Sequence, residues 1–185
     1  MPWLDEHFEK MSLCSVFWRR GNAVIRLKPA MDAISSSQMV PPKPSTHRWH
    51  NKADLAEHYT ACRSAYEAAL TDAIEDRHGI TTRTTFKEVK RIMQSEEFWA
   101  SCATTAALMR PLKVCIKKHE SLGIGMSDSW TYLKELEEAV DALAADGAIP
   151  LNGLHKFTKR EISEFKGCIA RVRVNARGWR CASCN

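Results

Sequence analysis

At 185 residues, 44% of them hydrophobic and 26% charged, the chain has the size and make-up of one folded domain with a real core and is too short for two large ones. No apolar run nears the roughly 18 residues that cross a bilayer, and no charged segment leading into an apolar stretch opens the chain, so neither a membrane span nor a secretion signal is expected. The net charge of +5 is uneven: residues 156–185 hold eight Lys or Arg against Glu161 and Glu164, a basic end of +6 on a body near neutrality, which allows a polyanionic partner.

From the N-terminus, Trp3, Leu4, His7, Phe8, Met11 and Cys14 recur at the spacing of one helix face, predicting a helix over Trp3–Phe17 that Gly21-Asn22 breaks. A second helix is expected from Ala23 to Ser35 through Val24, Leu27, Met31 and Ile34, with a kink or late start imposed by Pro29. Ser35-Ser36-Ser37 and Pro41-Pro42-Lys43-Pro44-Ser45 cannot continue it, because proline lacks the amide hydrogen and drives its predecessor to an extended form. This linker delivers the chain to a loop, Thr46-His47-Arg48-Trp49-His50.

Asn51 reads as the N-cap of a third helix carrying Leu55, Tyr59, Cys62, Tyr66, Ala69, Leu70, Ala73 and Ile74, which Gly79 ends. Thr85 and Glu88 have the spacing of a capping box ahead of Val89, Ile92 and Met93. Ser95 can cap the next helix, with Phe98, Cys102, Thr105, Met109, Leu112, Ile116 and His119 in one stripe and a bend or break expected at Pro111. Ser127 is expected to cap a helix facing inward through Trp130, Leu133, Leu136, Val140 and Leu143, stopped by Gly147 and Pro150. A second capping box, Thr158 with Glu161, opens a last helix through Ile162, Phe165 and Ile169 to about Val172.

No period-two strand and no alternation of strand with helix appears, so the expectation is an all-α bundle of about seven helices with a proline-rich linker between the second and third. The segments are 1–40, a helix pair; 41–50, the linker and Arg-Trp loop; 51–174, the bundle; and 175–185, a basic tail without regular structure.

The seven cysteines are odd in number, and Cys14, Cys62, Cys102, Cys115 and Cys168 stand among apolar residues, which suits reduced thiols in an intracellular protein. Cys181-Ala182-Ser183-Cys184 supplies two thiols, half of a tetrahedral zinc set, but neither Cys168 nor His155 completes a familiar spacing, so no metal is assigned to Cys181 and Cys184. His47 and His50 flank Arg48-Trp49 without a neighbouring carboxylate, while His7, His58 and His119 stand on or beside apolar faces as core or rim residues. The acids Glu96, Glu97, Glu135, Glu137, Glu138 and Asp141 fall on polar helix faces, Gly123-Ile124-Gly125 lacks the strand and lysine of a phosphate loop, and no nucleophile has a recognisable signature. No catalytic residue and no cofactor is therefore assigned. Arg48-Trp49 differs: a guanidinium beside an indole joins a phosphate fork to a stacking surface for unstacked bases, the rival role for Trp49 being a packed anchor under the linker.

Three blocks in order resemble the middle of a hAT-superfamily transposase. They are Pro2-Trp3-Leu4 through Arg19-Arg20 to Leu27-Lys28; Pro44-Ser45-Thr46-His47-Arg48-Trp49, similar to that family's Pro-Thr-Arg-Trp signature; and Phe98-Trp99 through Pro111-Leu112 to Trp130 and Tyr132. Such transposases interrupt an RNase H-like core with a helical insertion, bind Mg²⁺ through three core acids, and stack the signature Trp on a displaced base. The resemblance thus implies the helical insertion, with Arg48 and Trp49 on DNA, the arginines Arg171, Arg173, Arg177 and Arg180 as further contacts, and a nuclear location. The departures are His47 where Thr is usual and His50-Asn51 where Asn-Ser is usual. The family's zinc finger, catalytic aspartates and Cys-x-x-His segment would precede Met1, and its final glutamate would follow Asn185, so the expectation is a non-enzymatic piece contacting transposon-end or flanking DNA. An intact transposase or another protein is the further partner. The alternative is a helical protein-interaction module without nucleic-acid binding.

Overall fold

The computed structural model describes residues 2–38, 40–45, 49–71, 83–120 and 125–145, together with 160, 163, 164, 166 and 167. Among these, seven helices and no strand occur: α1 (Pro2–Trp18), α2 (Gly21–Ala33), α3 (Trp49–Ala61), α4 (Arg63–Leu70), α5 (Thr84–Met93), α6 (Glu96–His119) and α7 (Met126–Ala145). The protein is an all-α bundle with its proline-rich segment between the second and third helices. The predicted third helix is two helices, however, and the helix predicted from Thr158 falls mostly outside the described residues, of which Arg160, Ser163, Glu164, Lys166 and Gly167 are helical.

Two compact units divide the chain, Pro2–Met109 and Arg110–Asn185. The N-terminal helix pair and the linker thus belong to the same unit as α3, α4 and α5.

In the first unit the stripe of α1 is buried as its spacing requires, through Leu4, His7, Phe8, Met11 and Cys14, and Phe17 and Trp18 extend it. The break comes at Arg19-Arg20, and Gly21 (φ +21°) opens α2 instead of ending α1; that angle is one that L side chains rarely adopt. Pro29 leaves α2 unbroken. Ile25, whose carbonyl loses its helical partner to Pro29, is 59% exposed, on a side of α2 where water can take that bond. The exit of α2 is a Schellman turn: Ser36 N–H donates to the Met31 carbonyl at 3.1 Å and Ser35 N–H to that of Asp32 at 3.0 Å, with Ser35 at φ 52°.

The long run from Leu55 to Leu70 is interrupted at Cys62 (φ −105°, ψ 16°), so α4 restarts at Arg63. The interruption brings Tyr66 back against α3: its hydroxyl lies 2.9 Å from His58 Nε2 and its ring 5.1 Å from that of Tyr59. Around this pair the aromatic rings interlock. Tyr59 meets Phe98 at 5.8 Å, Phe98 meets Trp99 edge-on at 5.1 Å, and Trp18 meets Tyr66 at 5.7 Å. Tilted pairs at such distances contribute about 0.5–1.5 kcal/mol each beyond the area they bury. Both buried indoles find an acceptor on one methionine: Trp99 Nε1 donates to the Met93 carbonyl at 2.7 Å and Trp18 Nε1 to Met93 Sδ at 3.2 Å.

Thr85 does not cap α5. The N-cap is Arg83, with no side-chain capping bond, because burying Phe86, Val89, Ile92 and Met93 fixes where the helix lies, and it starts at Thr84, two residues before the Phe86 that a Thr85 cap would imply. Arg63, in the first turn of α4, binds Glu67 one turn on, reaches Glu96 in the first turn of α6 and lies 5.5 Å from the Trp99 ring. Ser95 precedes α6, its carbonyl taking the Phe98 N–H at 3.1 Å. The helix is not broken at Pro111; the boundary between the compact units falls beside it.

In the second unit Leu136 and Val140 are buried, as the stripe of α7 requires, while Trp130 and Leu133 are half-buried. On α6 the expected Leu112 and Ile116 are only half-buried and His119 is exposed, and Cys115, outside that stripe, is buried. Lys118 pairs with Glu135 and sits 4.9 Å from the Tyr132 ring; Lys166 pairs with Asp141. Ser127 lies inside α7 and does not open it. Gly125 precedes the helix, and its N–H donates to Asp128 Oδ2 at 2.9 Å, the returning half of a capping box.

Candidate nucleic-acid interface

The proline segment before α3 is pinned to α1. Ser15 Oγ donates to the Pro42 carbonyl at 2.7 Å, Arg19 Nη1 donates to the Pro41 carbonyl at 2.6 Å, and Pro41 is buried. Prolines repeated at 41, 42 and 44 keep the backbone extended, so two bonds suffice to hold the segment along the helix. The chain then enters α3 at Trp49. Pro44 is the last residue that forbids a helix, so nothing in the backbone delays the start to Asn51, which sits inside the first turn and not at the cap.

Trp49 is therefore the opening residue of a helix and not part of a loop, which corrects the expectation for this position. His47 and Arg48 lie outside the described residues, as does the Trp49 side chain. The start of α3 is tied down at Lys52, whose ammonium lies 4.4 Å from the centroid of the Phe8 ring on α1. Of the other residues assigned from sequence, Arg171, Arg173, Arg177 and Arg180, together with His155, Cys168, Cys181 and Cys184, are outside the described residues.

The described histidines divide. Burial among aromatic rings pushes His7 down to about 4, with Lys10 adding to the effect, and its Nε2 has no partner. Burial pushes His58 to about 4 as well, and it keeps its bond with Tyr66. Both are neutral core groups at physiological pH. His119 is exposed, its Nδ1 2.8 Å from the Cys115 carbonyl and its ring 5.5 Å from Tyr132. Cys14, Cys62, Cys102 and Cys115 are free and buried; burial pushes the Cys14 thiol up to about 12 and raises Cys102 well above its ordinary range.

Among the described residues no three His, Cys, Asp or Glu side chains stand close enough to hold a metal ion together. The surface acids serve other ends: Glu96 binds Arg63, which holds its carboxyl below the usual range, while Glu135, Glu138 and Asp141 bind Lys118, Lys134 and Lys166. No described helix is long and apolar enough to cross a membrane.

Two features escape a reading by apolar period. Arg26 is buried on the inner face of α2. Arg83, the N-cap of α5, and Lys87 and Arg91 along it are all exposed, and their four-residue spacing was the signal available for them. No family model matches the chain, and no curated protein or solved structure is significantly similar to it.

Proposed function

We propose that the chain is a hAT-like, transposase-derived helical domain that works on transposon-end or flanking DNA in the nucleus, contacts it through Arg48 and Trp49, and does not cut it alone. The observation that most supports this reading is the linker pinned by Ser15 and Arg19. An indole offered to an unstacked base must be held in place, because ordering a free loop costs about 1–2 kcal/mol per residue. The anchored prolines reduce that cost ahead of Arg48-Trp49. The surface acids that bind Arg63, Lys118, Lys134 and Lys166 support the non-cutting part, since carboxylates already engaged by cations are poorly disposed to share Mg²⁺.

The test compares Trp49→Ala with the parent chain on hairpin or flipped-base DNA and on plain duplex. Stacking on one base contributes about 1–3 kcal/mol, so binding to the unstacked substrates should weaken by about tenfold or more while duplex binding changes little. Equal losses on both substrates would assign Trp49 to packing. Reproducible Mg²⁺-dependent strand cleavage by the purified chain would refute the rest.

A second reading, a helical protein-interaction module, draws on exposed apolar side chains: Ile25 at 59%, with Val16 and Ile34 at 37% each. Self-association insensitive to salt, in a chain that does not bind DNA, would favour it.

A further inference from the structure

We propose that the outer face of α5 is a docking surface for the phosphate backbone of DNA, an inference that rests on the DNA-contact reading and extends it to residues with no place in the Arg-Trp signature. Arg83, Lys87 and Arg91 follow one another at four-residue steps and are exposed, while Phe86, Val89, Ile92 and Met93 bury the opposite face. At the rise of an α-helix they span about 12 Å.

What sets this row apart is that three unpaired cations follow one another on one face. Many surface cations have acids beside them: Lys10 with Glu6, Arg63 with Glu67 and Glu96, Lys118 with Glu135, Lys134 with Glu138, Arg160 with Glu164 and Lys166 with Asp141. Exposed cations such as Lys28, Lys43 and Lys117, which enter no described ion pair, do not form such a row. Arg83, Lys87 and Arg91 enter no described ion pair, and neither does Glu88, the single acid of α5. Like charges four residues apart weaken a helix, so folding alone does not favour such a row. A polyanion would relieve the repulsion.

The row runs into a recess of about 260 Å³ beside the α1–α2 turn, where Arg83 and Thr85 face Arg20, Gly21 and Asn22. Arg20 is exposed and likewise enters no described ion pair. The acids of α1 and α2, Asp5, Glu6 and Glu9 on the one and Asp32 on the other, lie in the half of each helix away from this turn. Two guanidinium forks on one space match the geometry by which arginine takes a phosphate, and the α5 row supplies the next contacts along a strand.

The experiment uses the full chain and a labelled short duplex, with affinity followed by fluorescence anisotropy across a salt series. It compares the parent with the triple variant Arg83→Gln/Lys87→Gln/Arg91→Gln, with Arg20→Gln and with Trp49→Ala, each checked for native helicity by circular dichroism. The triple variant should weaken low-salt binding at least tenfold and flatten the log–log salt slope by about 2 to 3, Arg20→Gln should flatten it by about 1, and Trp49→Ala should leave it unchanged. A triple variant with the parent's affinity and slope overturns the α5 surface alone, whatever Trp49→Ala does. A parent that does not bind DNA removes the underlying reading. Losses seen only on vesicles of anionic lipid, with DNA binding intact, would assign the face to a membrane and overturn the proposal.

Discussion

Arg26 of α2 closes the C-terminal end of α4 by donating its Nε–H to the carbonyl of Ala69 at 2.6 Å. Its Nη2 donates to the Thr71 carbonyl at 2.5 Å, and its guanidinium lies 5.5 Å from the Phe86 ring. The positive group thus meets the negative end of the helix dipole and two carbonyls that α4 cannot satisfy itself. Arg26→Met should lower unfolding free energy by about 2–3 kcal/mol, since a charged hydrogen bond is lost and buried carbonyls are stranded. Arg26→Lys should recover part of the loss, because one ammonium cannot serve both carbonyls in the same geometry. Urea titrations measure both, and a stability change within a few tenths of a kcal/mol for Arg26→Met would exclude the capping role.

Ser35 holds a left-handed backbone angle, φ 52°, in the turn that ends α2. A side chain in that region is strained, and glycine is the usual occupant. Ser35→Gly should therefore raise stability by about 0.5–1 kcal/mol, in spite of the greater freedom glycine has in the unfolded chain. A decrease in the denaturation midpoint would show that the serine side chain contributes more than the angle costs.

How far the fold was legible follows from what each residue signals. The stripes of α1, α5 and α7 were readable because apolar residues at helical spacing must be buried somewhere. The break at Cys62 was not, since the apolar period runs through it and only the contact of Tyr66 with His58 and Tyr59 requires the chain to turn there. Thr85, Ser127 and Asn51 looked like caps, yet packing of Phe86, the backbone of Gly125 and the end of the proline run set the actual starts. Pro29 and Pro111 looked like breaks and lie inside continuous helices. At the candidate site, residue type singled out Arg48 and Trp49, but the anchors of the proline segment, Ser15 and Arg19, carried no local signal: each acts across more than twenty residues of sequence.

The two core histidines make stability depend on pH. His7 and His58 both titrate near 4 when folded against 6.5 when exposed, so the unfolded chain binds protons first as pH falls. Their contribution is complete above 6.5 and is lost progressively between 6.5 and 4. Each should account for about 2 kcal/mol of lost stability on going from neutral pH to about pH 5. Denaturation midpoints across that range measure the slope, and His58→Gln should remove about half of it. A midpoint unchanged between neutral pH and pH 5 would mean the rings are not held neutral.

The buried thiols should be silent. With Cys14 pushed up to about 12 and Cys102 raised as well, the thiolate that reacts is almost absent in the folded chain. Labelling with a thiol reagent at neutral pH, followed by peptide mass mapping, should leave both unmodified until denaturant is added. Modification of Cys14 at the rate of an unstructured cysteine would show that α1 opens readily.

The central claim, that this helical domain works on DNA, is tested most directly by the salt dependence of the parent chain's affinity for hairpin DNA, measured alongside its size by light scattering. The account predicts a monomer whose log affinity falls linearly as log salt rises, with weak but measurable binding at low ionic strength. A chain that associates with itself regardless of salt and ignores the hairpin at every ionic strength would contradict it.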